Sequence, residues 1–244
     1  GSDTAALDTF SDKAAVASWA APSLAAMAQA GYVNGSDGAL NPAGTITREE
    51  FAQVMHNIFS LYITESGTYT SSVNGNVLVN SDGVTLSGLA VTGDLILGEG
   101  VGNGDVTLDG VTVTGRLVVR AGGENSIRII NKSNVGSIIV SKTGDGGVRV
   151  RTEEGCRVDL VYVDDGLDDV ILEGTFNQVT INTDTPLVLK DAAVTGLTVS
   201  GANADVKLQG ATTVSATLIT QDAEGATLDV GSGAKVTKVE SAAE

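Results

Sequence analysis

Residues 84–125 read VTLSGLAVTGDLILGEGVGNGDVTLDGVTVTGRLVVRAGGEN, and the stretch nearly repeats itself. Val84-Thr85-Leu86 returns as Val106-Thr107-Leu108, Val91-Thr92-Gly93 as Val113-Thr114-Gly115, and Leu95-Ile96-Leu97 as Leu117-Val118-Val119, each 22 residues after its original. The first triplet continues as Ile127-Arg128-Ile129, Val148-Arg149-Val150, Val170-Ile171-Leu172, Leu187-Val188-Leu189, Val206-Lys207-Leu208 and Ala226-Thr227-Leu228. A second series runs Leu95, Leu117, Ile138, Val161, Val179, Leu197, Leu218 and Val236. A weaker third runs Val91, Val113, Val135, Val158, Phe176 and Val194. Short β-branched runs set between Gly, Asp, Asn and Ser are strands and turns. Three of them per repeat of roughly 20 residues predict a mainly β fold, a right-handed parallel β-helix of about eight coils. Coils stacked at the ~4.8 Å strand spacing bring like positions into columns, with Val, Leu and Ile inside. The column over 76–244 would be roughly 35–40 Å long on that spacing.

Composition narrows the function. The chain has 14 Lys and Arg against 30 Asp and Glu, a net charge of −16. Nucleic acid, whose phosphates need clustered positive charge, is therefore not an expected partner, nor is anionic lipid. No apolar run approaches the ~18–20 residues of a membrane span, so membrane insertion is not expected. The chain begins Gly1-Ser2 without Met and reads as a cloning remnant, so the lack of a leader excludes nothing. Cys156 is the only cysteine and leaves the redox compartment open. His56 is the only histidine, which removes His-dependent triads from most of the chain and any multi-histidine metal site.

Before residue 63 the period changes. Val16, Trp19, Leu24, Met27 and Ala28 recur at helical spacing within Ala14 to Ala30, with Pro22 as a kink or break and Gly31 as a stop. After the turn-rich NGSDGALNPAG, Thr47 and Glu50 form a capping-box pattern, and Phe51, Val54, Met55, Ile58 and Leu61 extend an apolar stripe. The predicted organisation is a flexible start over 1–6, a helical module over 7–62, a linker over 63–75 and the β-helix over 76–244.

The module resembles one S-layer homology repeat. The resemblance rests on Phe10-Ser11-Asp12, Trp19-Ala20, Leu24, the Gly31 to Gly35 turn, Leu40-Asn41-Pro42 and Ile46-Thr47-Arg48-Glu49-Glu50-Phe51. The rest is similar to β-helix regions behind such repeats in surface proteins of Gram-positive bacteria. The resemblance implies an extracellular protein held to cell-wall polysaccharide, with Trp19 and Arg48 in the glycan groove and Thr47 beside them. In that family anchoring usually takes three repeats around a pseudo-threefold, and one is present here. Further repeats elsewhere, or a copy kept only for packing, are both open.

Other candidates are weaker. Trp19 as core filler and Arg48 as a solvated first-turn residue are the plain alternatives to glycan contact. Asp164, Asp165, Asp168 and Asp169 in DDGLDD gather enough carboxylates to suggest Ca²⁺, without the spacing of a calcium loop, and a solvated acidic turn is the plain alternative. No other cofactor is expected. Arg128 and Arg149, if the registers hold, lie side by side, suited to an anionic sugar or a lyase, or paired plainly to Glu153 or Glu154. The ladder Thr85, Thr107, Arg128, Arg149, Ile171, Val188, Lys207, Thr227 holds no carboxylate, which speaks against a lyase. Cys156 is expected as a small buried residue. Ile96, Val118, Ile139 and Tyr162 are apolar where the pattern points outward, a stripe expected to be covered by residues 13–62 or by a partner chain. Self-association through the β-helix ends is a further expectation. The expected function is a non-catalytic cell-wall spacer or adhesive surface; the alternative is a carbohydrate-binding or polysaccharide-cleaving β-helix.

Overall fold

The computed structural model describes residues 3–166 and 168–242, with Asp165 described by its backbone alone. The chain divides into two compact units between Ser60 and Leu61.

The second unit is an all-parallel β-solenoid. Its first strand positions are Gly67–Tyr69, Val84–Ser87, Val106–Asp109, Arg128–Ile130, Val148–Thr152, the starts of Val170–Ile181 and Leu187–Val199, Asp205–Gln209 and Thr227–Val230. That makes about nine turns, one more than the triplets count. The extra turn lies in 63–75, the expected linker. Gly67–Tyr69 is paired with Val84–Leu86, and Val73 bridges to Val91. Its polar sequence, Gly-Thr-Tyr, has no apolar-x-apolar signature to betray it.

The core forms columns one residue wide. Val77, Leu95, Leu117, Ile138, Val161, Val179 and Leu197 pair in register, each at most 1% exposed. The third series pairs likewise at Val91–Val113–Val135–Val158 and Phe176–Val194, and continues to Val214 and Val236. At ~25 cal/mol per Å² of apolar surface, this continuous burial is the main force holding coil on coil.

Four registers depart from the sequence reading, and the first is Val236, which pairs with Val214 of the third series and not with Leu218 of the second. Arg128 pairs with Arg151 and Ile129 with Thr152, so Arg149 is not the neighbour of Arg128. Lys207 pairs with Asp229 rather than Thr227. Leu197 pairs with Thr217, which puts Thr217 inside at 2% exposure and Leu218 outside at 43%.

Asp94 ties the second coil to the third. Its carboxylate accepts the Arg116 amide at 2.8 Å and the Arg116 Nε at 3.1 Å. Burial alone raises the Asp94 carboxyl, but the Arg116 side-chain and amide hydrogen bonds together outweigh it and hold it below the usual carboxylate range. A carboxyl depressed in the fold contributes stability above its unfolded pKa and loses it as pH falls through the folded one. The gap in unfolding temperature between wild type and Asp94→Asn is therefore expected to hold above ~pH 5 and close toward ~pH 2. A gap that widens on acidification would contradict this account.

The first unit contains two α-helices, α1 (Ala21–Gln29) and α2 (Arg48–Ile58). The helix expected over Ala14–Ala30 begins only at Ala21. Pro22 sits in its first turn, where a missing N–H costs nothing, so it starts the helix rather than kinking it. Leu7, Phe10 and Ala25 are buried, with Val16, Leu24, Ala28 and Leu40 packed on them. The Asp12 carboxylate accepts the amides of Leu40 and Asn41 at 2.9 and 2.7 Å, which clamps the Leu40-Asn41-Pro42 turn. The Leu40 bond foremost holds its pKa down. α2 stops at Ile58, short of the predicted Leu61, because Phe59-Ser60-Leu61-Tyr62-Ile63 is an aromatic and β-branched run that goes extended.

Candidate functional site

In the first unit the capping box forms as read. Glu50 N–H donates to Thr47 Oγ1 at 3.2 Å, and Thr47 N–H donates to Glu50 Oε2 at 2.8 Å. Thr47 is thus occupied in starting α2, and Arg48, the next residue, is exposed in its first turn. Trp19 lies in the turn ahead of α1 and is 85% exposed. The core-filler reading of Trp19 is overturned: the small core closes on Leu7, Phe10 and Ala25 without it. A cleft of about 340 Å³ opens between the 32–46 segment and α2, edged by Tyr32, Asn34, Ile46, Glu50, Gln53 and Asn57. Neither Trp19 nor Arg48 lines it. Phe51 and Ile46, 55% and 56% exposed, leave an apolar side of this unit open.

In the solenoid the outward apolar stripe is a true column. Ile96 pairs with Val118, Val118 with Ile139, and Ile139 with Tyr162, all half-buried. Leu78, which the sequence reading missed, precedes them opposite Ile96, and Thr180 follows Tyr162. The same period-two rule, applied one coil earlier to Val77-Leu78-Val79, would have found Leu78.

The acidic stretch divides. Asp164 is exposed at the end of strand Arg157–Gly166, and the Asp165 side chain lies outside the described residues. Asp168 accepts the Gly146 amide at 2.6 Å, so one of the four carboxylates binds backbone. Among the described residues no three His, Cys, Asp or Glu gather as a cation would need.

Re-registration reorders the cations. Arg128, Arg151, Glu173, Lys190 and Gln209 stand in one outward column, and Arg149, Ile171, Val188, Lys207 and Asp229 in the next. Glu173 is bound by Arg149 at 3.0 Å and Arg151 at 3.1 Å, so these arginines pair with Glu173 and not with Glu153 or Glu154. Cys156 is half-buried, its thiol donating to the Ile129 carbonyl at 3.3 Å.

Lys142 was not foreseen. It follows Ile138 and Val140 at inward parity and is only 5% exposed. Its Nζ donates to Asn103 Oδ1 at 2.7 Å and to the carbonyls of Asp145 and Gly146. Burial lowers its pKa. A charged lysine enclosed this way pins the 143–146 turn to the turn two coils earlier, at the floor of a cleft that Glu99 and Arg120 also edge. The signal was available, since a lysine two places beyond Val140 on the inward parity must find acceptors.

The chain thus pairs a small helical unit with a parallel solenoid. Residues 9–52 match the family model of the S-layer homology domain, and a domain of that family implies attachment at the cell surface or cell wall. No curated protein and no solved structure matches the chain. Among the described residues no helix is long and apolar enough to cross a membrane.

Proposed function

We propose that this protein is a non-catalytic component of the bacterial cell wall, attached through its helical unit, with the solenoid as a stiff spacer or display surface. Wall polysaccharide is the ligand of the helical unit. The observation that carries this reading is Trp19, an aromatic face 85% exposed in a unit that does not need it for its core. A large apolar ring is costly to leave in water unless something stacks on it, and sugar rings do. Arg48, exposed in the first turn of α2, supplies a cation for an acidic substituent. In the solenoid, Glu173 is held between two arginines, which supports structure over acid–base chemistry at that column.

The test is retention on purified cell-wall polysaccharide. Trp19→Ala and Arg48→Ala are each expected to reduce binding about tenfold, the scale of one lost stacking or charged contact. Because both side chains are exposed, the unfolding temperature should not move. Retention unchanged in both variants would remove the site.

A further inference from the structure

We infer that the solenoid carries a second glycan site: the outward column Arg128, Arg151, Glu173, Lys190 is a docking ladder for an anionic polysaccharide chain lying along the solenoid axis. The charge distribution points there first. A chain of net charge −16 holds only 14 basic residues, yet Arg128, Arg149, Arg151, Lys190 and Lys207 share two adjacent columns of one sheet. Glu173 is already bound by Arg149 and Arg151. Among the described residues Arg128 and Lys190 have no ion-pair partner, and both are exposed. The ladder is therefore positive in excess of what its own carboxylate neutralises.

Geometry selects the class of ligand. Arg128 and Arg151 are register partners, so their Cα atoms stand about one strand spacing apart, ~4.8 Å, with Lys190 two strands beyond Arg151. A uronic acid polymer presents a carboxylate on each sugar, and a sugar residue advances about one such spacing. Planar guanidinium groups bind carboxylates through two donors at once. Polar residues continue the column on either side, with Gln209 exposed after Lys190, and with Thr85, half-buried, and Thr107, buried, before Arg128. The surrounding acidic surface disfavours bulky polyanions such as duplex nucleic acid, whereas a thin chain meets the ladder alone.

The experiment is titration of the whole chain with oligogalacturonate at low and at physiological salt. Wild type should bind, more weakly as salt rises. Arg128→Gln with Lys190→Gln removes two exposed, unpaired cations and should weaken binding about tenfold without lowering the unfolding temperature. Arg151→Gln adds a further loss. The charge-matched control Lys13→Gln with Arg157→Gln, and Trp19→Ala with Arg48→Ala, should bind as wild type does. The ladder is overturned if wild type does not bind, or if either control weakens binding as much as the ladder variant. It is likewise overturned if single-stranded DNA binds as tightly as oligogalacturonate. Loss confined to the Trp19 and Arg48 variants would place uronate binding in the helical unit instead.

Discussion

Replacing Phe176 by alanine is expected to lower the stability of the solenoid by about 3–5 kcal/mol, the range for deleting a buried aromatic ring. Phe176 is 1% exposed and faces Val194 in the next coil, in a core built mainly of Val, Leu and Ile. Aromatics are few, at 4% of residues, and the register partner in the next coil is the smaller Val194. Within the core each coil packs on its immediate neighbours, so a gap in one column weakens the interfaces above and below it. Domains are stable by about 5–15 kcal/mol, so this one ring is a large fraction of the total. Urea unfolding of the whole chain is the measurement. Ile139→Ala, on the half-buried outward stripe, serves as the comparison and should cost clearly less. Equal losses would mean that the two faces are not distinguished as the burial pattern requires.

Phe176 also shows what could be read in advance. Its place in the third series follows from parity alone, and the structure keeps every member of that series inside. Parity is what the sequence carries best, because side chains alternate with period two. It does not carry the slip of two residues between Arg149 and Arg151, since a shift by two leaves every side chain on its own face. Val148-Arg149-Val150 and Val150-Arg151-Thr152 are both apolar or β-branched, outward Arg, then apolar or β-branched. Only the segment over 141–150, two residues longer than 120–127 in the coil before it, decides between them, and turn length is weakly written. The same holds for Asp229 against Thr227. Thr217 is a different failure. A β-branched Thr fills the volume of Val, so the column accepts it although Leu218 is the more apolar neighbour. Its hydroxyl is buried with no partner among the described residues, a cost that hydropathy gave no reason to expect. In the helical unit the capping box was legible because it is local chemistry. The exposure of Trp19 was not, because apolar periodicity treats every tryptophan as core.

Gly115→Ala is expected to destabilise the solenoid by about 3 kcal/mol, combining overpacking of ~1–3 kcal/mol with a lost hydrogen bond of ~1 kcal/mol. This glycine closes the second copy of Val-Thr-Gly in the 84–125 repeat, and its reason is room rather than conformation. A Cβ on Gly115 would lie 2.4 Å from the Gly93 carbonyl oxygen and 2.6 Å from Asp94 Oδ1. Gly93 is set against the coil before it in the same manner, its Cβ position 2.3 Å from Asn76 Oδ1 and 2.7 Å from the Gly75 oxygen. The backbone bonds Gly93 N to Gly75 O and Gly115 N to Gly93 O, at 3.0 and 3.1 Å, draw these glycines together. That close approach lets the side chains of Asn76 and Asp94 fold over and accept the amides of Asp94 and Arg116. The contact ends at the third coil, where the register shifts past Val135 and Gly136 has open space around it. Alanine at 115 must therefore push its coil away from the preceding one and strip the Arg116 amide from Asp94, so the variant should also lose the acid-sensitive stability that Asp94 contributes. Gly88→Ala supplies the contrast. Gly88 has φ +63° with nothing near its Cβ position, so its cost is only the ~1–2 kcal/mol of a left-handed backbone. Urea unfolding at neutral pH and near pH 3 separates the two variants. A Gly115→Ala protein as stable as Gly88→Ala, with its acid response intact, would show that neighbouring coils can separate without cost and that the repeated glycine is not a steric device.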